Sequence, residues 1–247
     1  MNYKMYSRLF SVASLTALIV LLSSAGIAYA DNSAQPQMVG SQWAVYEQVT
    51  LPNGNLNFYP AAHASTIPSG GVEFSMPNST SSSPAYVNYL LNTYTTSLTE
   101  SNTITAVINV VTSSSATTFV GNPDGGNPAV SFVRLFVQSN LPNDHSSTCT
   151  GRGNVNNYWW ADPASGSYTF GTGGSGPVTL SIPLNPADWS NICGQFGTSN
   201  TAAFDSALAN IKFIGLSFGS YYFFANGMGV DGTTGTATFQ LVSYTIS

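Results

Sequence analysis

The chain has 247 residues, of which 13% are aromatic and only 6% charged, with two cysteines and a formal net charge of −5. Beyond residue 30 the only basic side chains are Arg134, Arg152 and Lys212, against ten acidic ones, a formal charge of −7 for that part. Phosphate neutralisation needs clustered Lys and Arg, so DNA, RNA and anionic lipid surfaces are excluded as partners.

In chain order, Lys4 and Arg8 precede an apolar stretch from Leu9 to Leu22, and Ala28-Tyr29-Ala30 has the small-x-small pattern of a cleavage site. This predicts a signal peptide over residues 1–30, cut before Asp31, and a secreted or cell-surface location. The apolar core falls short of the roughly 18 to 20 residues of a membrane span. Residues 31–40 read as a flexible arm and 41–247 as a single β-sandwich domain.

Runs of Val, Ile, Thr, Tyr and Phe punctuated by Gly, Pro, Asn and Ser predict strands near 42–50, 71–76, 86–98, 103–112, 130–138, 167–170, 177–183, 211–219 and 235–246. The Ser-rich stretch Asn78 to Pro84 reads as a loop, and Asn78-Ser79-Thr80 is a glycosylation sequon. One helix is predicted over Thr201–Ala209, with Ser199 or Asn200 as its N-cap and Asn210 as its stop. The fold class is therefore all-β, a sandwich with one short helix.

Two strands alternate clearly. Val133, Leu135 and Val137 share one face opposite Phe132, Arg134, Phe136 and Gln138, while Ile214, Leu216 and Phe218 oppose Phe213, Gly215, Ser217 and Gly219. If these strands are neighbours, the Gly and Ser face leaves room above Phe132 and Arg134. An Arg between two Phe residues is expected either to be salt-bridged at a core edge or to open onto a groove.

Cys149 and Cys193, an even pair in an exported chain, are expected to form a disulfide. His63 and His145 show no paired ligand spacing for zinc. Gly215-Leu216-Ser217-Phe218-Gly219 matches the nucleophile elbow of hydrolases, but no helix and no His follows it. A glycoside hydrolase needs two partnered carboxylates; Glu73, facing away from Val72 and Phe74, is the candidate acid, without a second at a partnering spacing. No cofactor is implied, although Asn122 to Asn127 and Asp231-Gly232 offer oxygen ligands for a structural calcium.

The segment Asn157-Tyr158-Trp159-Trp160-Ala161-Asp162 places adjacent indoles beside an amide and an acid. Neighbours on a strand point to opposite sides, so one Trp is expected inward and the other exposed. An exposed ring flanked by amides suits a sugar, whose C–H face stacks while its hydroxyls bond the polar groups. Tyr222 is a further ring of this kind. The binding candidates are Arg134, Gln138, Asn157, Tyr158, Trp159, Trp160, Asp162 and Tyr222.

Trp189 before a loop, the helix Phe204-x3-Leu208 leading into Ile211-x2-Ile214-Gly215-x-Ser217-Phe218, and the closing strand Thr238 to Ile246 give residues 104–246 a resemblance to galactose-binding-like carbohydrate-binding modules of secreted bacterial proteins. The resemblance implies a jelly roll with a sugar site on a concave face or on loops at one end, often with a structural calcium; the final strand here lacks the usual acidic pair. The expected function is a secreted, non-catalytic protein that binds a poly- or oligosaccharide. A self-associating structural surface protein is the alternative and a glycoside hydrolase the third reading.

Overall fold

The alternation of β-branched and aromatic residues with polar ones resolves into strands that cross between two sheets. The computed structural model describes residues 35–50, 56–122, 131–141, 155–162, 164–219 and 226–247. The expected signal peptide, Cys149, Arg152, Tyr222 and the Asp124 turn lie outside them. Ser33–Ser247 forms one compact unit, and Met1–Asn32, the other, is outside the described residues.

In chain order the strands are β1 Trp43–Thr50, β2 Leu56–His63, β3 Ser65–Thr66, β4 Val72–Ser75, β5 Asn78–Ser79, β6 Val87–Thr93, β7 Thr103–Thr112, β8 Phe119–Gly121, β9 Phe132–Ser139, β10 Tyr158–Ala161, β11 Ser167–Thr169, β12 Ser175–Pro183, β13 Trp189–Asn191, β14 Ile211–Gly219, β15 Met228–Asp231 and β16 Ala237–Ile246. The larger sheet runs β13-β10-β9-β14-β6-β1-β2, with β11, β15, β5 and β8 attached at its margins; the smaller runs β12-β7-β16-β4-β3. Pairing is antiparallel except between β15 and β5. The all-β sandwich expected from the sequence is the fold observed.

The core fills from the two facing sides. On the larger sheet, Val45, Leu90, Leu216 and Leu135 form one cross-strand row, and Trp159, Val137 and Ile214 the next. The smaller sheet answers with Ile104, Ala106, Ile108 and Val110 of β7 and with Phe239, Leu241 and Tyr244 of β16. Phe218 meets Phe239 edge-on at 5.0 Å and Trp43 meets Tyr244 at 5.5 Å across the sandwich. Each such ring stabilises the fold by burial, about 1.5–3 kcal/mol per large side chain.

Helix α1, Thr201–Ala209, closes one end. Its N-terminus is capped by Asn200, whose side chain accepts from the Ala203 amide, and Phe204, Ala207 and Leu208 face the core. The arm expected to be flexible is fixed over its described part: the Gln35 side-chain amide pairs with both backbone groups of Ile246, and Trp43 Nε1 donates to the Gln37 carbonyl at 3.0 Å. A side-chain amide can stand in for a neighbouring strand at a sheet end, which gives these residues a place. The stretch read as a loop after Pro77 begins with the two residues of β5, held by parallel pairing to β15.

Strand β14 lies between β6 and β9, with Gly215 opposite Leu91 on one side and Phe136 on the other. Gly215 has a φ of +152°, and a Cβ built there would overlap the Leu90 carbonyl oxygen. Only glycine tolerates both conditions. Gly215→Ala is expected to destabilise the protein by about 3 kcal/mol, from overpacking and backbone strain together; chemical denaturation of the two proteins measures it.

Candidate functional site

The outward side of the larger sheet carries a second apolar layer, separate from the core. Cross-strand partners share a face, so the register defines three rows. Ser190, Trp160, Phe136, Gly215, Leu91 and Ala44 form the central one. Ser167, Arg134, Ser217, Tyr89 and Tyr46 lie on one flank of it, and Tyr158, Gln138, Phe213 and Thr93 on the other.

The rings touch in sequence across the sheet. Phe58 meets Tyr89 at 5.7 Å, Tyr89 meets Phe136 at 5.0 Å, Phe136 meets Trp160 at 5.1 Å, and Tyr158 stacks on Trp160 at 6.3 Å with an interplanar angle of 20°. Tyr89 and Phe136 stand on strands two apart, about 9.5 Å by strand spacing. They meet because the strand between them presents only Gly215 and Ser217.

The centre of this layer is closed to solvent: Tyr89, Leu91, Phe136 and Trp160 are buried. Tyr46, Phe58, Tyr158, Ile192 and Phe213 are partly buried around it. Beyond Ser190, the bridge partner Phe196 is 41% exposed. Within this half-buried rim, Tyr158 and Phe213 flank the half-buried Gln138 in one cross-strand row, a ring on either side of an amide. Lys212 Nζ lies over the Phe213 ring, 5.1 Å from its centroid. Burial raises the phenol of Tyr158 and, more strongly, that of Tyr89, so both remain neutral hydroxyls at ordinary pH. Ser217 Oγ and Ser190 Oγ are buried on the same face and have no hydrogen-bond partner among the described residues.

The residues singled out in the sequence divide. Tyr158 and Gln138 come together as direct cross-strand partners. The adjacent indoles do point to opposite sides, but neither is exposed: Trp159 is 0% and Trp160 2% accessible. Trp159 packs edge-on against Phe204 at 5.0 Å and donates through Nε1 to the Asn156 carbonyl at 2.7 Å, while Trp160 joins the outer layer. Opposite sides mean core and outer layer here, because both sides of the sheet are apolar.

Asn157 is buried and holds backbone. Its Oδ1 accepts from Ser139 Oγ at 2.8 Å and from the Leu141 amide at 2.9 Å, and its Nδ2 donates to the Leu141 carbonyl at 3.2 Å. Arg134 is also buried; Nη1 donates to the carbonyls of Ala161 (3.0 Å) and Asp162 (3.1 Å), with the Asp162 carboxylate at 4.0 Å. The guanidinium sits 5.4 Å over the Phe132 ring. Of the two expectations for Arg134, the paired one describes its place: it ties the end of β10 to β9. Tyr222 lies outside the described residues.

Glu73 stands on the outward side of the smaller sheet, where Oε2 accepts from Gln240 Nε2 at 2.8 Å and Gln240 Oε1 accepts from Asn109 Nδ2 at 2.7 Å. Ser217 sits within β14 and not at a strand-to-helix turn, so the elbow motif has no elbow. Among the described residues no three His, Cys, Asp or Glu side chains gather around one metal position, and no cysteine is free. No described helix is long and apolar enough to cross a membrane. Phe213 and Phe196 were absent from the sequence-based candidates; Phe213 was legible on the Gly and Ser face of its strand, whereas nothing in the sequence pointed to Phe196.

A scan against protein-family models and a search of curated proteins give no match. Among solved structures, the chain is similar to the Family 11 Carbohydrate-Binding Module of cellulosomal cellulase Lic26A-Cel5E of Clostridium thermocellum, at 12% identity and a TM-score of 0.32, covering 86% of this chain and 96% of that one.

The bonds of Arg134 go to carbonyls at hydrogen-bond distance, whereas the carboxylate is 4.0 Å away and its side chain 29% exposed. Arg134→Ala is therefore expected to cost about 2–3 kcal/mol, leaving two carbonyls unsatisfied, while Asp162→Asn stays within about 0.5 kcal/mol. Urea denaturation of both variants checks the contrast.

Proposed function

We propose that this protein is an exported, non-catalytic carbohydrate-binding protein that lays a neutral glycan chain across β10, β9 and β14. The observation that carries the reading is the open row of Tyr158, Gln138 and Phe213. Its rings are about 10 Å apart, two strand spacings, room for successive sugars with an amide between them. Sugar C–H faces stack on the rings, and the Gln138 amide both donates to and accepts from hydroxyls.

The closed aromatic layer behind the row supports this use. Tyr158 rests on Trp160, which rests on Phe136, so its ring is held before any ligand arrives. Preorganised rings lose little entropy on binding. The guanidinium of Arg134 is engaged by carbonyls, so the face offers no anchor for uronate or sulfate groups there; the Lys212 ammonium at its edge is a donor for a hydroxyl.

Export and the disulfide belong to the same reading. Lys4, Arg8, the apolar stretch and Ala28-Tyr29-Ala30 supply the signal, and the absence of a free thiol at Cys193 suits a bridge to Cys149, the other cysteine of the chain. An exported protein whose mass corresponds to residues 31–247 less two hydrogens is the expected result; a retained leader or two titratable thiols contradicts it.

Binding is tested by calorimetry against cello-, xylo-, manno- and galacto-hexaoses. Tyr158→Ala and Gln138→Ala are each expected to weaken the tightest of these about tenfold, some 1.4 kcal/mol, with unfolding midpoints near that of the parent. Trp160→Ala instead is expected to lose about 3–5 kcal/mol of stability. Undiminished binding in both surface variants overturns the assignment of the row.

A further inference from the structure

At the margin where β5, β8 and β15 meet, the sandwich holds a cleft of about 430 Å³. Its walls are Ser79 on β5, Thr80 and Ser81 in the turn that follows, Tyr86 just before β6, and Asp231 and Thr233 at the end of β15. It shares no residue with the open row. β15 pairs with Val87 at the start of β6, whereas the row reaches Thr93 at its end, about 20 Å further along the strand.

The walls are built, not incidental. The Thr80 and Ser83 backbones bond reciprocally at 3.1 and 3.2 Å, and Thr80 Oγ1 accepts from the Ser83 amide at 3.0 Å. Ser79 Oγ accepts from the Ala85 amide at 3.3 Å, and its carbonyl from the Gly232 amide at 3.1 Å. At Gly227 a Cβ would stand 2.7 Å from Tyr86 Cβ, so glycine is needed for the ring's close seat.

The chemistry of the lining is specific. Among the described residues it offers four hydroxyls, one half-buried phenol ring, one carboxylate and the apolar Pro84 and Val120, with no cation. Asp231 Oδ1 accepts from the Thr233 amide at 2.9 Å and from Thr233 Oγ1 at 2.7 Å, which leaves Oδ2 without a described partner. An uncompensated carboxylate repels phosphate, sulfate and acidic sugars. A polyhydroxylated neutral ring matches this lining: a ring and the apolar Pro84 and Val120 for its C–H face, a strong acceptor for one hydroxyl, and side-chain hydroxyls for others.

We propose that this cleft is a second glycan subsite, taking a single neutral pyranose unit stacked on Tyr86 with one hydroxyl donating to Asp231 Oδ2. The ligand class rests on the carbohydrate reading above; the site itself does not. Bonds from Thr233 hold the Asp231 carboxyl below its ordinary range. The acceptor therefore keeps its charge to lower pH than an ordinary Asp does, and binding is lost at correspondingly lower pH.

The test uses the methyl glycosides of glucose, galactose and mannose at millimolar concentration, followed by amide chemical shifts of the ¹⁵N-labelled mature protein. One of them is expected to shift residues 79–86 and 231–233 while leaving 138, 158 and 213 unmoved. Ser81→Trp, an exposed position where the indole fills the cleft, is expected to abolish those shifts, and Asp231→Asn to weaken binding at least threefold. Both leave hexaose binding at Tyr158 intact, whereas Tyr158→Ala does the reverse, so the two sites fail separately. No shifts at this cleft with any of the three glycosides, or saturable shifts that survive Ser81→Trp, overturn the proposal.

Discussion

The outer architecture depends on the missing side chain at Gly215. The β14 backbone approaches Leu90 so closely that no Cβ fits, and that approach keeps β6, β14 and β9 in one continuous sheet. The same absence, extended by Ser217, leaves a shallow floor over which Tyr89 and Phe136 lean together to 5.0 Å. From that contact the ring layer propagates through Trp160 to Tyr158. A core constraint and a surface property thus share one residue.

This organisation leaves the outward face of the larger sheet with few charges. Its one buried guanidinium among the described residues is spent on backbone carbonyls at the end of β10, so it shapes the face without charging it. Buried amides do comparable positional work: Asn157 holds Leu141, and Asn191 Oδ1 accepts from the amides of Cys193 and Gln195, fixing the turn that carries Cys193. The accessible edge is left with rings, one amide and the Lys212 ammonium over Phe213.

Strong period-two alternation made much of this legible. β7 and β14 fall on the expected residues, as does α1, because each combines long alternation or clear caps with tertiary support. The suspicion that the strands carrying Arg134 and Ser217 are neighbours is met by their direct pairing. The short strands β3, β5, β8, β13 and β15 are not legible in the sequence, since two to four residues cannot establish a period, and Pro60 within β2 masks an edge strand where proline is tolerated. The exposure of a Trp could not be read from alternation: alternation fixes which side a residue takes, and here both sides of the sheet are apolar. Asn157 looked like a ligand group for the same local reason, whereas its partners come from the end of β9, beyond any sequence window.

The most direct test of the account is a chemical-shift map of the mature protein titrated with each of the cello-, xylo-, manno- and galacto-hexaoses. Saturable changes centred on the amides of 138, 158 and 213, fading across β6, are the predicted result. Changes confined to the outward face of β7, β12 and β16, or none with any hexaose while the protein self-associates, would contradict it.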